Sequence, residues 1–190
     1  MEQWLALLRA TRAWLIRAIA WVTLAVSGAF FAAVALPVAP INSEWWNLAS
    51  GINGELKEEI GWPELVETVA GIYTSLPAQD RSQTGILTSN YGEAGAINLY
   101  GPAYGLPQAI SGINSYWLRG YGDPPPQTLI VLGFNTDGAV RLFESCKTAG
   151  LITNRYGVRN EETRDHPVIL LCRGPRGTWP ELWKNLQSFG

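Results

Sequence analysis

The chain has 190 residues, 47% of them hydrophobic, and a formal net charge of −2 at pH 7. That balance lacks the basic surface that nucleic-acid partners require, and no basic patch with interleaved aromatic residues occurs, so nucleic-acid binding is not expected. Once an N-terminal apolar segment is set aside, the length leaves room for one domain of ordinary size.

The segment Trp4–Arg17 reads as helical, with Arg9, Arg12 and Arg17 spaced so that two share a face. This suits a helix lying on anionic headgroups or the cytoplasmic extension of a spanning helix. Residues 1–17 are therefore expected to form a cytoplasmic amphipathic segment. From Ala18 to Ser43 no charged side chain occurs. A helix needs about 20 apolar residues to cross a hydrocarbon core, which places a transmembrane helix over residues 18–41, with a signal sequence or a buried core helix as the blander readings. The arginines before the span, with no lysine or arginine after it until Lys57, predict a cytoplasmic N-terminus. The expected location is a single-pass protein of the bacterial inner (plasma) membrane, with its domain on the periplasmic or extracellular side. Trp45 and Trp46 follow at interface depth, and residues 42–61, rich in Gly, Asn and charge, form a juxtamembrane linker.

Residues 62–190 are expected to form the extracytoplasmic domain. Trp62-Pro63-Glu64-Leu65 opens a helix with apolar positions at 65, 66, 69, 72, 73 and 76, ended by Pro77. Ile86–Gly92 and Leu151–Gly157 each read as a short buried strand running into a polar turn. Further strands are predicted at Ala109–Gly112, Thr128–Phe134 and Pro167–Cys172. Helices are predicted at Glu93–Tyr100, at Asp137–Thr148 and from Trp179 to the C-terminus. Short apolar strands alternating with helices imply an α/β fold: a three-layer domain with a mostly parallel sheet.

Ligands of such sheets meet the carboxyl ends of the strands. The candidate binding residues there are Asn90, Tyr91, Glu93, Asn114, Tyr116 and Trp117, whose amides, carboxylate and rings suit sugar hydroxyls and apolar ring faces. The bland alternative is that Asn, Ser and Gly simply build turns. No catalytic residue is assigned. The chain has no G-x-S-x-G elbow, the one histidine, His166, sits in a charged loop, and Glu93 lacks a partner carboxylate in sequence. No metal is expected, because neither C-x-x-C nor H-x-x-x-H occurs. Phosphate-cradling and dinucleotide motifs are missing, so no cofactor is expected. The two cysteines, Cys146 and Cys172, form a disulfide in an oxidising compartment or remain two buried thiols.

Several blocks resemble the extracytoplasmic C-terminal region of bacterial polyprenyl-phosphate-sugar glycosyltransferases, the superfamily of protein O-mannosyltransferases and aminoarabinose transferases. They are Ile60–Leu65 (IGWPEL), Thr88–Ala96 (TSNYGEAGA), Leu106-Pro107, Ser111–Trp117 (SGINSYW), Thr153–Gly157 (TNRYG) and Cys172–Pro175 (CRGP). The resemblance implies the last transmembrane helix plus the terminal domain of such an enzyme. The catalytic acidic residues of these polytopic transferases lie in an early extracytoplasmic loop, which this chain does not contain, so the isolated chain is expected to be non-catalytic. The implied partners are the lipid bilayer, a polyprenyl-phosphate-sugar or glycan, and a polytopic transferase subunit. A non-catalytic membrane-anchored module binding glycan or lipid-linked sugar is the alternative, and a structural partner in the envelope is a third reading.

Overall fold

The structure, a computed structural model, describes residues 2–189. The chain divides into two units, Met1–Lys57 and Glu58–Gly190. In the first, helix α1 (Glu2–Ala35) is continuous over 34 residues, so the arginine-bearing segment and the apolar run share one helix. Within it, the 24 residues of Arg12–Ala35 are long and apolar enough to cross a membrane. At 1.5 Å per residue that stretch measures about 36 Å, against a hydrocarbon core of about 30 Å. Ser27 satisfies its hydroxyl within the helix by donating to the Thr23 carbonyl at 2.8 Å.

The helix stops at Ala35, short of residue 41. Pro37 has no amide hydrogen and pushes Leu36 out of helical geometry. Part of the expected linker is helical: α2 (Glu44–Ile52) is capped by Ser43, whose hydroxyl accepts from the Trp46 amide. The Trp45 indole donates to the Ala33 carbonyl at 3.3 Å, fixing the turn between α1 and α2. A short α3 (Glu55–Glu58) follows.

The second unit is a three-layer α/β domain. Its elements are α4 (Trp62–Ser75), α5 (Ala78–Arg81), β1 (Thr84–Thr88), α6 (Tyr91–Tyr100), a 3₁₀ turn (Gly101–Tyr104), β2 (Ala109–Ser111), a second 3₁₀ segment (Asn114–Arg119), β3 (Thr128–Leu132), α7 (Thr136–Leu142), β4 (Phe143–Leu151), α8 (Glu161–Arg164), β5 (Val168–Pro175) and α9 (Trp179–Leu186). The five strands lie in the order β2-β1-β3-β5-β4. The β2-β1-β3 side is parallel, while β5 runs antiparallel to both β3 and β4.

All residues of β1 and β3 are buried, as strands covered on both faces must be. Ile86, Ile130, Leu132 and Ile169 pack with Leu65, Val66 and Val69 of α4 and Ala94 and Ile97 of α6. On the opposite face Leu87, Leu129, Val131 and Leu170 pack with Ala139 of α7 and with Trp179 and Trp183 of α9. Pro63 and Pro180 occupy the first turn of α4 and of α9, where no intrahelical amide bond is lost.

Two expectations are corrected. The helix predicted to reach Thr148 ends at Leu142, and Phe143 begins a strand that runs to Leu151, so the predicted Leu151 strand is only the end of β4. Ala139, Leu142, Phe143 and Cys146 imitate helical spacing. Beyond Phe143, however, the segment is an exposed edge strand, paired from Phe143 opposite Pro175 to Leu151 opposite Val168. Cys146 consequently sits within a strand, directly opposite Cys172. Their Cα atoms are 4.1 Å apart and their sulfurs are joined in a disulfide.

Candidate functional site

Strands β1, β2 and β3 run in one direction, and β4, antiparallel to β5, shares it. Their carboxyl ends therefore line one edge of the sheet, where ligands of open α/β sheets bind. Asn90 stands at this edge as the N-cap of α6. Its side-chain oxygen accepts from the Glu93 amide at 2.8 Å, while Glu93 Oε2 accepts from the amides of Ser89 (3.1 Å) and Asn90 (3.4 Å). This reciprocal capping box satisfies helix-end amides that would otherwise be orphaned.

Glu93 is fully buried. Burial pushes its carboxyl up to about 7, against the two amides that favour the charged form and with help from the nearby charges of Glu162 and Glu161. Desolvation dominates because the amides reach only one oxygen. Oε1 has no hydrogen-bond partner among the described residues. Gly133, at the end of β3, has φ +72°, and a Cβ there would stand 2.7 Å from Glu93 Oε2. Glycine meets both the left-handed backbone and the close approach.

Glu162, which sequence reasoning missed, completes the cluster. Asn90 Nδ2 donates to its Oε1 at 3.5 Å, across 72 residues of chain. Glu162 is also buried, its carboxyl is raised above the ordinary range chiefly by that burial, and its Oε2 is unpartnered among the described residues. Helix α8 positions it through a second capping box between Asn160 and Thr163. Asn160 Nδ2 also donates to the Ile60 carbonyl at 2.8 Å. The one available signal was an N-x-x-T cap around an acidic pair, but in sequence that pair reads as a solvated loop.

Two neighbouring contacts close this edge. A Cβ on Gly92 would stand 2.9 Å from Trp62 Cη2, so the indole covers the first turn of α6. Asn154 builds a turn through Val158 and Tyr156, and Arg155 pairs with Glu64 at 2.5 Å.

The remaining predicted residues divide. Tyr91 is exposed beside the cluster. Tyr116 is half-buried on the core of the α4/α6 face, with the Arg119 guanidinium 4.5 Å above its ring. Asn114 adopts φ 49° and donates its amide to the Ser188 carbonyl. Trp117 joins the opposite face of the sheet, stacked on Trp183, where its indole is a packing group rather than an open sugar platform.

The cluster can hold a proton on Glu93 near neutrality and link α6 to α8 through Asn90. Glu93 itself has no solvent-accessible surface in this conformation. No protein-family model, curated protein or solved structure matches the chain.

Proposed function

We propose that the chain is the membrane-anchored, extracytoplasmic terminal part of a polyprenyl-phosphate-sugar glycosyltransferase, a recognition and assembly domain that takes its catalytic carboxylates from a polytopic partner. The observation that carries this reading is spatial. Three of the transferase-like blocks, separated by up to about 90 residues, meet at the carboxyl edge of the sheet. Trp62 lies against Gly92, Gly61 against Asn154, and Glu64 pairs with Arg155. Blocks that meet in space behave as one surface, and that surface follows a helix able to span a bilayer. Arg9, Arg12 and Arg17, at and before the N-terminal turns of that stretch and with no basic residue after it until Lys57, direct the N-terminus to the cytoplasm and the domain to the outer face of a bacterial plasma membrane.

Two measurements test the proposal. A reporter active only outside the cytoplasm, fused to the C-terminus, is expected to be active; activity of a cytoplasm-only reporter there overturns the orientation. The full chain in nanodiscs is expected to transfer no sugar from polyprenyl phosphomannose. After in-cell crosslinking it is expected to be recovered with a multi-span protein that carries an extracytoplasmic Asp-Glu pair. Transfer by the chain alone, or recovery without such a protein, overturns the assembly role.

A further inference from the structure

A cleft lies at the opposite edge of the sheet, at the amino ends of β1 and β2. It measures about 330 Å³ and is bounded by the Ser82–Gly85 segment, the approach to β2 and the Arg119–Pro126 loop. The geometry points to this cleft as a binding site for a single neutral hexopyranose ring.

One side supplies an aromatic platform. Tyr121 lines the cleft and is held against Trp179, with ring centroids 5.0 Å apart and planes at 17°, and it makes a T-shaped contact with Trp183 at 5.7 Å. Its orientation is therefore fixed before any ligand arrives, which lowers the ordering cost of binding. Pro107, Pro124 and Pro126 add a rigid apolar wall. The rim supplies hydrogen bonds of both kinds. The carboxamides of Gln83 and Gln108 and the carboxylate of Asp123 are exposed and carry no hydrogen bond among the described residues. A pyranose presents this same pair of surfaces, a patch of C–H groups on its face and hydroxyls around its rim.

Charge and size narrow the ligand. Arg119 and Asp123 cancel, and the Arg119 guanidinium is occupied over the Tyr116 ring, so the cleft has no excess positive charge for a phosphate. The volume sits at the low end of the roughly 300–1,000 Å³ typical of small-ligand sites, which suits a single ring, free or at the end of a longer ligand. The assignment stands on the cleft itself and is independent of the Asn90–Glu93 edge.

The test is saturation-transfer NMR on the full chain in nanodiscs, with methyl mannoside, methyl glucoside and methyl N-acetylglucosaminide as probes. Transfer to the ring C–H protons of at least one glycoside is expected. Gln83→Ala with Gln108→Ala should weaken that binding by about tenfold, two neutral hydrogen bonds being removed, while near-UV circular dichroism stays unchanged because both side chains are exposed. Asp123→Asn is expected to weaken it less, and Tyr121→Phe to preserve it. Competition by polyprenyl phosphomannose but not by polyprenyl phosphate assigns the ring to a lipid-linked sugar, and competition by neither assigns it to a free glycan. No transfer from any glycoside, transfer indifferent to the glutamine variants, or displacement by polyprenyl phosphate or inorganic phosphate overturns the proposal. None of these results bears on the reporter and crosslinking outcomes.

Discussion

Trp117 and Trp183 exchange hydrogen bonds: each indole N–H donates to the other residue's carbonyl, at 3.0 and 3.2 Å, with the rings nearly parallel at 5°. The pair pins the 3₁₀ segment after β2 to α9 and seals one face of the sheet. Trp183→Ala is expected to destabilise the domain by about 3–5 kcal/mol through lost burial and a residual cavity. Trp117→Phe keeps most of the packing but strands a carbonyl, for about 1 kcal/mol. Urea denaturation of the detergent-solubilised chain, followed by near-UV circular dichroism, measures both.

Asn90 is expected to behave as a structural residue first. Asn90→Ala removes the N-cap of α6 and the link to Glu162, and should cost about 1–2 kcal/mol. Asn90→Ser restores the cap without the reach to Glu162, and should recover most of that loss. If thermal melts place the serine variant with the alanine variant, the Glu162 contact outweighs the cap.

The buried carboxylate sets a pH dependence whose sign can be stated. Glu93 titrates near 4.5 when unfolded and at about 7 when folded, so between those values the native state holds more protons than the unfolded state. Stability is then fully present below about pH 4.5 and falls as pH rises through about 7, by roughly 3 kcal/mol in all. Glu162, also shifted upward, adds in the same direction. Glu93→Gln stays neutral throughout and should flatten most of that slope, raising stability on the alkaline side. Denaturation midpoints across this range provide the check.

How much of this was legible in the chain depended on distance along it. The runs at Ile86–Thr88, Thr128–Leu132 and Val168–Cys172 are continuous and apolar, and each became a covered strand, because burial on both faces demands that composition. Strand β4 escaped because Glu144, Ser145, Lys147 and Thr148 belong to an exposed edge, where the partner strand rather than burial fixes the conformation. At the candidate site, the Asn90–Glu93 capping box is local and its residues stood out. Glu162 did not: an acidic side chain in a loop looks solvated until the fold encloses it, and its partner lies 72 residues away.

The Cys146–Cys172 bridge ties that edge strand to its neighbour across a sequence separation of 26. Loop-entropy arguments give a stabilisation of roughly 3–4 kcal/mol for a loop of this size. The Cys146→Ala, Cys172→Ala double variant should lose about that much, and thiol titration of the unfolded, unreduced protein should find no free thiol. Finding both thiols free would remove the bridge from the account.

Strand β4 also leaves the sheet with one long open border. Its outer residues Glu144, Ser145, Lys147 and Thr148 are exposed, and its register shifts between Thr148 and Gly150. Charged side chains and a register break are the features that stop one open border from zipping onto another. Molecules confined to a common plane meet side by side far more often than molecules free in solution. A border built this way disfavours edge-to-edge pairing wherever copies are crowded side by side.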